Sequence, residues 1–141
     1  MTVQELIEAF PRWVEQDPNV AGVFLVGSYA RGEASPESDL DLVILTSRPY
    51  SYLSDTSWVD NFGSPSSVVL EDWGKVKSVR VHYSNGSEVE YGITTPDWAT
   101  HPVPQSTQNV LADGMKLLLD RTGELEKAIR KIPDNEIQPT N

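Results

Sequence analysis

The chain has 141 residues, 38% of them hydrophobic and 23% charged, which suits one folded domain and is too little for two independent cores. Its formal charge of -10, with no run of Lys or Arg, argues against a surface for duplex nucleic acid, since such affinity comes mainly from neutralising phosphates. The lack of cysteine and the wide separation of the two histidines exclude a disulfide framework and thiolate chemistry, and leave any metal to oxygen ligands.

The N-terminus has no basic-then-apolar pattern, and no apolar run approaches membrane-spanning length, so a cytoplasmic protein with no membrane partner is expected. Val3, Leu6, Ile7, Phe10, Trp13 and Val14 recur at helical spacing, with Thr2 placed to cap and Glu5 three residues on; this predicts an amphipathic first helix ending near Asp17-Pro18. Val20 to Val26 reads as a strand buried on both faces, stopped by Gly27, and Ser28 to Gly32 as a short helix. Ser38 to Thr46 reads as a second strand. Arg48 to Gly63 is polar, aromatic and irregular, a loop with one helical turn. Extended runs follow at Ser67 to Asp72, Val76 to Tyr83 and Glu88 to Ile93, the last two joined by Ser84-Asn85-Gly86-Ser87, a strong hairpin signal. After Pro96, Pro102 and Pro104, a helix is predicted around Thr107 to Leu111 and a strand at Met115 to Leu119. Thr122 is placed to cap a helix running to about Ile132, and Asp134 to Asn141 to be a polar tail. The domain reading is 1–132 folded and 133–141 disordered.

Asp39 and Asp41 are one residue apart in the second predicted strand, so both carboxylates project from one face, with Cα atoms roughly 6.6 Å apart. For an isolated Asp-x-Asp the commoner arrangement is a strand end facing water. Here it follows Val26-Gly27-Ser28-Tyr29-Ala30-Arg31-Gly32, where glycine lets backbone approach a phosphate and serine and free amides supply donors. A carboxylate pair beside a phosphate cradle suits hard divalent cations that stabilise attacking and leaving oxygens. The Gly-Lys-Ser/Thr ending of a Walker loop is absent, the dinucleotide fingerprint does not fit, and Val43, Ile44 and Leu45 stand where a calcium loop needs ligands and its turn glycine.

Gly27-Ser28-Tyr29-Ala30-Arg31-Gly32-Glu33-Ala34, followed by Ser38-Asp39-Leu40-Asp41-Leu42, resembles the signature of the polymerase-beta-like nucleotidyltransferase superfamily. Trp58 to Gly63, the Val79 to Ile93 hairpin and Gly114 to Arg121 are similar, more weakly, to the nucleotidyltransferase domain of aminoglycoside adenylyltransferases, and the likeness spans about residues 20 to 125. It implies nucleotide contacts at Gly27 and Ser28, phosphate-side contacts at Arg31 and Ser38, and Mg²⁺ held by Asp39, Asp41 and a third carboxylate from a later strand. Glu88 and Glu90 both qualify. Glu90, deeper in its strand, is preferred as ligand or general base, and Glu88, beside the turn, reads as a solvated hairpin charge. His82 and His101 read as packed or exposed residues, and Trp58, Phe62, Trp73 and Trp98 as core aromatics or base-stacking surfaces.

The expected architecture is therefore α/β (α+β), a mixed sheet with the first and last helices packed against it. The expected activity is transfer of a nucleoside monophosphate, AMP from ATP being favoured, to an unidentified small-molecule or protein acceptor bearing a hydroxyl. The alternative is a nucleotidyltransferase-like antitoxin or a nucleotide-binding module without turnover. Those longer enzymes add a helical domain that helps to hold the acceptor. A homodimer or a helical partner protein is expected to supply that wall here, with the Arg48 to Gly63 loop, through Tyr50, Tyr52 and Trp58, as the competing lid.

Overall fold

The computed structural model describes residues 1–99 and 103–130. His101, the end of the predicted last helix and the 133–141 tail lie outside the described residues. Helix α1 spans Val3–Val14, and its start is a closed capping box: the Glu5 amide donates to Thr2 Oγ1 at 3.1 Å and the Thr2 amide to Glu5 Oε1 at 2.8 Å. Each satisfies a backbone donor that the first helical turn leaves without a partner. Leu6, Phe10 and Val14, four residues apart, form its buried stripe.

The strands are β1 (Val20–Val26), β2 (Leu40–Thr46), β3 (Pro65–Trp73), β4 (Val76–Tyr83), β5 (Glu88–Thr94) and β6 (Met115–Asp120). They form one sheet in the order β3-β4-β5-β2-β1-β6. Neighbours run antiparallel except β2 and β5, which are parallel, so the sheet is mixed, as expected. The helices α2 (Ser28–Arg31), α3 (Tyr50–Leu53), α4 (Gln105–Ala112) and α5 (Glu124–Arg130) fill the connections. Asp120, rather than Thr122 alone, starts α5: its carboxylate accepts the amides of Gly123 at 3.0 Å and Glu126 at 3.0 Å, while Thr122 Oγ1 takes that of Glu124 at 3.3 Å.

Alternation along β1 and β2 divides the interior in two. Val23, Leu25, Leu42 and Ile44 face α1, whereas Phe24, Val26, Val43 and Leu45 face Trp98, Leu111 in α4, and Leu125 and Ala128 in α5. The first and last helices thus cover opposite faces. Each fully buried aliphatic or aromatic side chain contributes about 1.5–3 kcal/mol, so both faces stabilise the sheet.

The segment from Arg48 to Gly63 is more ordered than its composition predicts, because its aromatics have partners: α3 is followed by a 3-10 helix at Ser57–Phe62. Trp58 lies 4.8 Å from Tyr91 and Phe62 5.3 Å from Phe10, ring centre to ring centre. Tyr52 Oη donates to Asp17 at 2.6 Å and the Trp58 indole to the Tyr52 carbonyl at 2.9 Å. Tyr52, Trp58 and Phe62 therefore belong to the α1 side of the sheet, opposite Asp41, and the competing lid reading is corrected to a packing layer. Tyr50 is exposed there.

Candidate active site

Asp39 immediately precedes β2, which starts at Leu40 rather than at Ser38. Asp41 lies within β2, flanked by Val26 of β1 and Glu90 of β5. Parallel pairing at this register brings residues distant in sequence side by side on the face away from α1, and Arg80 of β4 stands opposite Glu90 on the other side. Asp41, Glu90 and Gly27 line a cleft of about 640 Å³ whose walls include Trp73, Val76, Trp98 and Val110. Ligand sites are commonly concave and mainly apolar, with a few convergent polar groups.

Gly27 has φ 78°, and a Cβ placed on it would lie 2.7 Å from Asp41 Oδ2. Any other L-residue would be strained in its backbone and would push the carboxylate aside, so the glycine between β1 and α2 is what lets backbone and carboxylate share one wall. Ser28 opens α2 directly after it.

The Asp41 carboxylate makes no hydrogen bond to another described side chain or amide. Burial, and then the charges of Glu90 and Asp39, push its carboxyl up from the ordinary value to about 7, against the pull of Arg80. Uncompensated negative charge in a half-buried cleft is costly.

Asp39 is placed differently. It lines a second hollow of about 380 Å³ with Ser38 and Glu88, and Arg80 Nη1 donates to its Oδ2 at 3.1 Å. The same guanidinium donates to Glu71 at 3.0 Å, to Glu88 at 2.5 Å, and to Glu90. These hydrogen bonds hold Arg80 above its ordinary range although burial works the other way. Glu90 also accepts from Ser78 Oγ at 3.1 Å. Glu88, expected to be a solvated hairpin charge, instead bridges Arg80 and His82, whose Nε2 lies 2.7 Å away. Among the described residues, no group of three or more His, Cys, Asp or Glu side chains converges closely enough to hold a metal ion. The structure therefore brings Asp41, Glu90 and Gly27 together and leaves Asp39 linked to them through Arg80.

Arg31 and Ser38 have local partners. Arg31 donates from Nε to Glu33 at 2.7 Å and from Nη1 to the Asp113 carbonyl at 2.8 Å, while Ser38 Oγ accepts the Ser35 amide at 2.9 Å. Arg80 is the residue that motif reading passes over, because it belongs to no motif; its signal was the hairpin, whose pairing sets it opposite Glu90.

Similar sheets occur in known structures. The fold matches an aminoglycoside 6-adenyltransferase from Bacillus subtilis with a TM-score of 0.56 and 15% identity, covering 70% of this chain and 37% of that one. It matches the polymerase core of TRAMP, an RNA surveillance complex, at 0.53 and 11%, covering 95% and 37%. Cid1 in complex with the UTP analog UMPNPP matches at 0.50 and 12%, covering 77% and 32%. This chain spans about a third of the length of those proteins. No curated protein matches by sequence. The family model of the nucleotidyltransferase domain matches residues 6–95, well over half of the chain. The chain belongs to that family, as the Gly27-Ser28 and Asp39/Asp41 resemblance implied, and its mixed α+β sheet is the expected one.

Proposed function

We propose that the chain transfers a nucleoside monophosphate from a nucleoside triphosphate, with ATP the favoured donor, to a hydroxyl-bearing acceptor, releasing pyrophosphate. The observation that carries this reading is the Asp41 carboxylate, half-buried, without a hydrogen-bond partner among the described residues, and set beside Glu90 on the wall that Gly27 shapes. Its excess charge fits a hard cation with oxygen ligands. Asp41 would hold Mg²⁺, joined by Asp39 on exchange of its bond to Arg80, and the ion when bound would neutralise charge on the phosphates and on the leaving pyrophosphate.

Gly27 and Ser28 are suited to orient the phosphates against the start of α2. As the acceptor oxygen bonds to the α-phosphorus and the bond to the pyrophosphate oxygen breaks, Glu90 is placed to take the hydroxyl proton. With Arg80 and Ser78 fixing its carboxylate, Glu90 suits that role better than a third metal position. Arg31 and Ser38, tied to their own neighbours, would serve mainly to shape the loops around the phosphates. Catalysis of this kind rests on positioning and charge.

Incubation with radiolabelled nucleoside triphosphates, Mg²⁺ and cell extract should label an acceptor. Asp39→Asn and Asp41→Asn should leave the circular dichroism unchanged and remove Mg²⁺-dependent nucleotide binding by calorimetry. Wild-type affinity in either variant would rule out the shared cation.

A second reading, nucleotide binding without turnover, is favoured by the hold of Arg80 on both Asp39 and Glu90. Saturable nucleotide binding with no labelled acceptor in any extract fraction would select it.

A further inference from the structure

β3 is the outermost strand, paired with β4 on one side and with no other described strand on its outer edge. It is also unusually apolar for such a place: Val68, Val69, Leu70 and Trp73 are 39%, 48%, 58% and 60% exposed. Edge strands of proteins that remain single are normally short, or protected by lysine, proline or a bulge, because their free N–H and C=O groups recruit other strands. Here the one proline is the first residue, the register irregularity lies beside it between Pro65 and Ser67, and the strand contains no lysine.

We propose that this edge pairs with β3 of a second copy of this chain, antiparallel, across a two-fold axis through Val69, extending the sheet across both copies. The proposal rests on the sequence of the edge and is independent of the reaction assigned above. In a symmetric antiparallel pair the axis passes through one residue, which faces its own copy, and every other residue faces its mirror position. Centred on Val69, the strand is self-complementary on both sides of the axis, with Pro65 and Ser66 lying at the register irregularity. Val68 faces Leu70, Ser67 faces Glu71, Ser66 faces Asp72, and Pro65 faces Trp73.

Apolar side chains meet apolar ones, and each carboxylate meets a hydroxyl. Moving the axis to Leu70 sets Val68 against Asp72 and Val69 against Glu71; moving it to Glu71 opposes two glutamates, which is destabilising. Neither carboxylate brings uncompensated charge to the seam. Glu71 is bonded to Arg80 at 3.0 Å, and Asp72 to Lys77 at 2.8 Å. The seam ends on Trp73, which forms part of the cleft wall, so pairing would fix that wall.

Light scattering and sedimentation across a concentration series test the proposal on the full chain. Wild type should have the mass of two chains, and Val69→Lys, which sets two lysines face to face, should weaken association at least about tenfold with unchanged circular dichroism. Because the chain has no cysteine, single substitutions report the register directly. Val69→Cys should form a disulfide-linked dimer on mild oxidation, whereas Ser67→Cys and Glu71→Cys should crosslink only when mixed with each other. A wild type of single-chain mass at every concentration overturns the proposal. So does a dimer that is indifferent to Val69→Lys, or one in which Val69→Cys stays uncrosslinked.

Discussion

The two faces of the β4–β5 hairpin are built from alternate residues of the same strands, yet they do opposite things. On one face Val79, Val81, Tyr83, Val89, Tyr91 and Ile93 are buried against α1 and the 3-10 helix. Tyr91 packs edge-on against Trp58 and tilted against Phe10 there, and its hydroxyl meets that of Tyr83 at 2.7 Å. On the other face Arg80, Glu88 and Glu90 make a partly exposed charged cluster, braced by buried Ser78, whose Glu90 lines the cleft. A strand has period two, so one hairpin can place its stability and its chemistry only a residue apart without mixing them. Substitutions on one face should therefore move stability, and those on the other should move binding or turnover.

The largest effect that would break this division is on the packed face. Tyr91→Ala should cost about 3–5 kcal/mol in denaturant unfolding, the range for emptying a buried aromatic site; a loss below about 1 kcal/mol would mean that the aromatic layer is not the stabilising face. On the charged face, Glu90→Gln should lower turnover roughly a hundredfold, as for loss of a positioned proton acceptor, while changing nucleotide affinity and unfolding midpoint much less. Glu88→Gln, one pleat nearer the turn, should affect turnover far less. Equal effects from both substitutions would remove Glu90 from its special place.

A further effect is one of pH. Since burial and the neighbouring carboxylates raise the Asp41 carboxyl to about 7 from an ordinary 3.8, the folded chain keeps a proton through that interval which the unfolded chain has lost. Stability from this group is thus present at low pH and declines as pH rises from about 4 towards 7. Asp41→Asn removes that dependence. In chelator-treated samples the melting temperature of the variant should gain on wild type across the interval, and a constant difference would show that Asp41 does not bear this charge strain.

Much of this arrangement was legible in the sequence because it rests on local signals. Thr2 and Glu5 announced the start of α1, branched residues marked β1 and β2, and Asn85-Gly86 marked the hairpin. Gly27-Ser28 with Asp39/Asp41 led to the family. What stayed hidden was non-local. Arg80 acquires its meaning only when pairing sets it among Glu71, Glu88, Glu90 and Asp39, partners from separate parts of the chain. The Arg48 to Gly63 segment looked like a loop because its aromatics have no period of their own; their order comes from Phe10, Trp13 and Tyr91. Alternation predicts one face for Asp39 and Asp41, but Asp39 precedes β2 and lines another hollow, bonded to Arg80.

The parallel pairing of β2 with β5 has a kinetic consequence. It joins Asp41 to Glu90 across an excursion that contains the whole β3–β4 hairpin, and closing such a long loop costs entropy before any contact repays it. Local hairpins can form early, whereas this junction needs the central sheet to come together. The cleft is then expected to be among the last features to form as the chain folds. A partly folded chain, even one rich in strand, would have no site, so nucleotide affinity would report the completed fold, and a bound nucleotide would in turn protect it from unfolding.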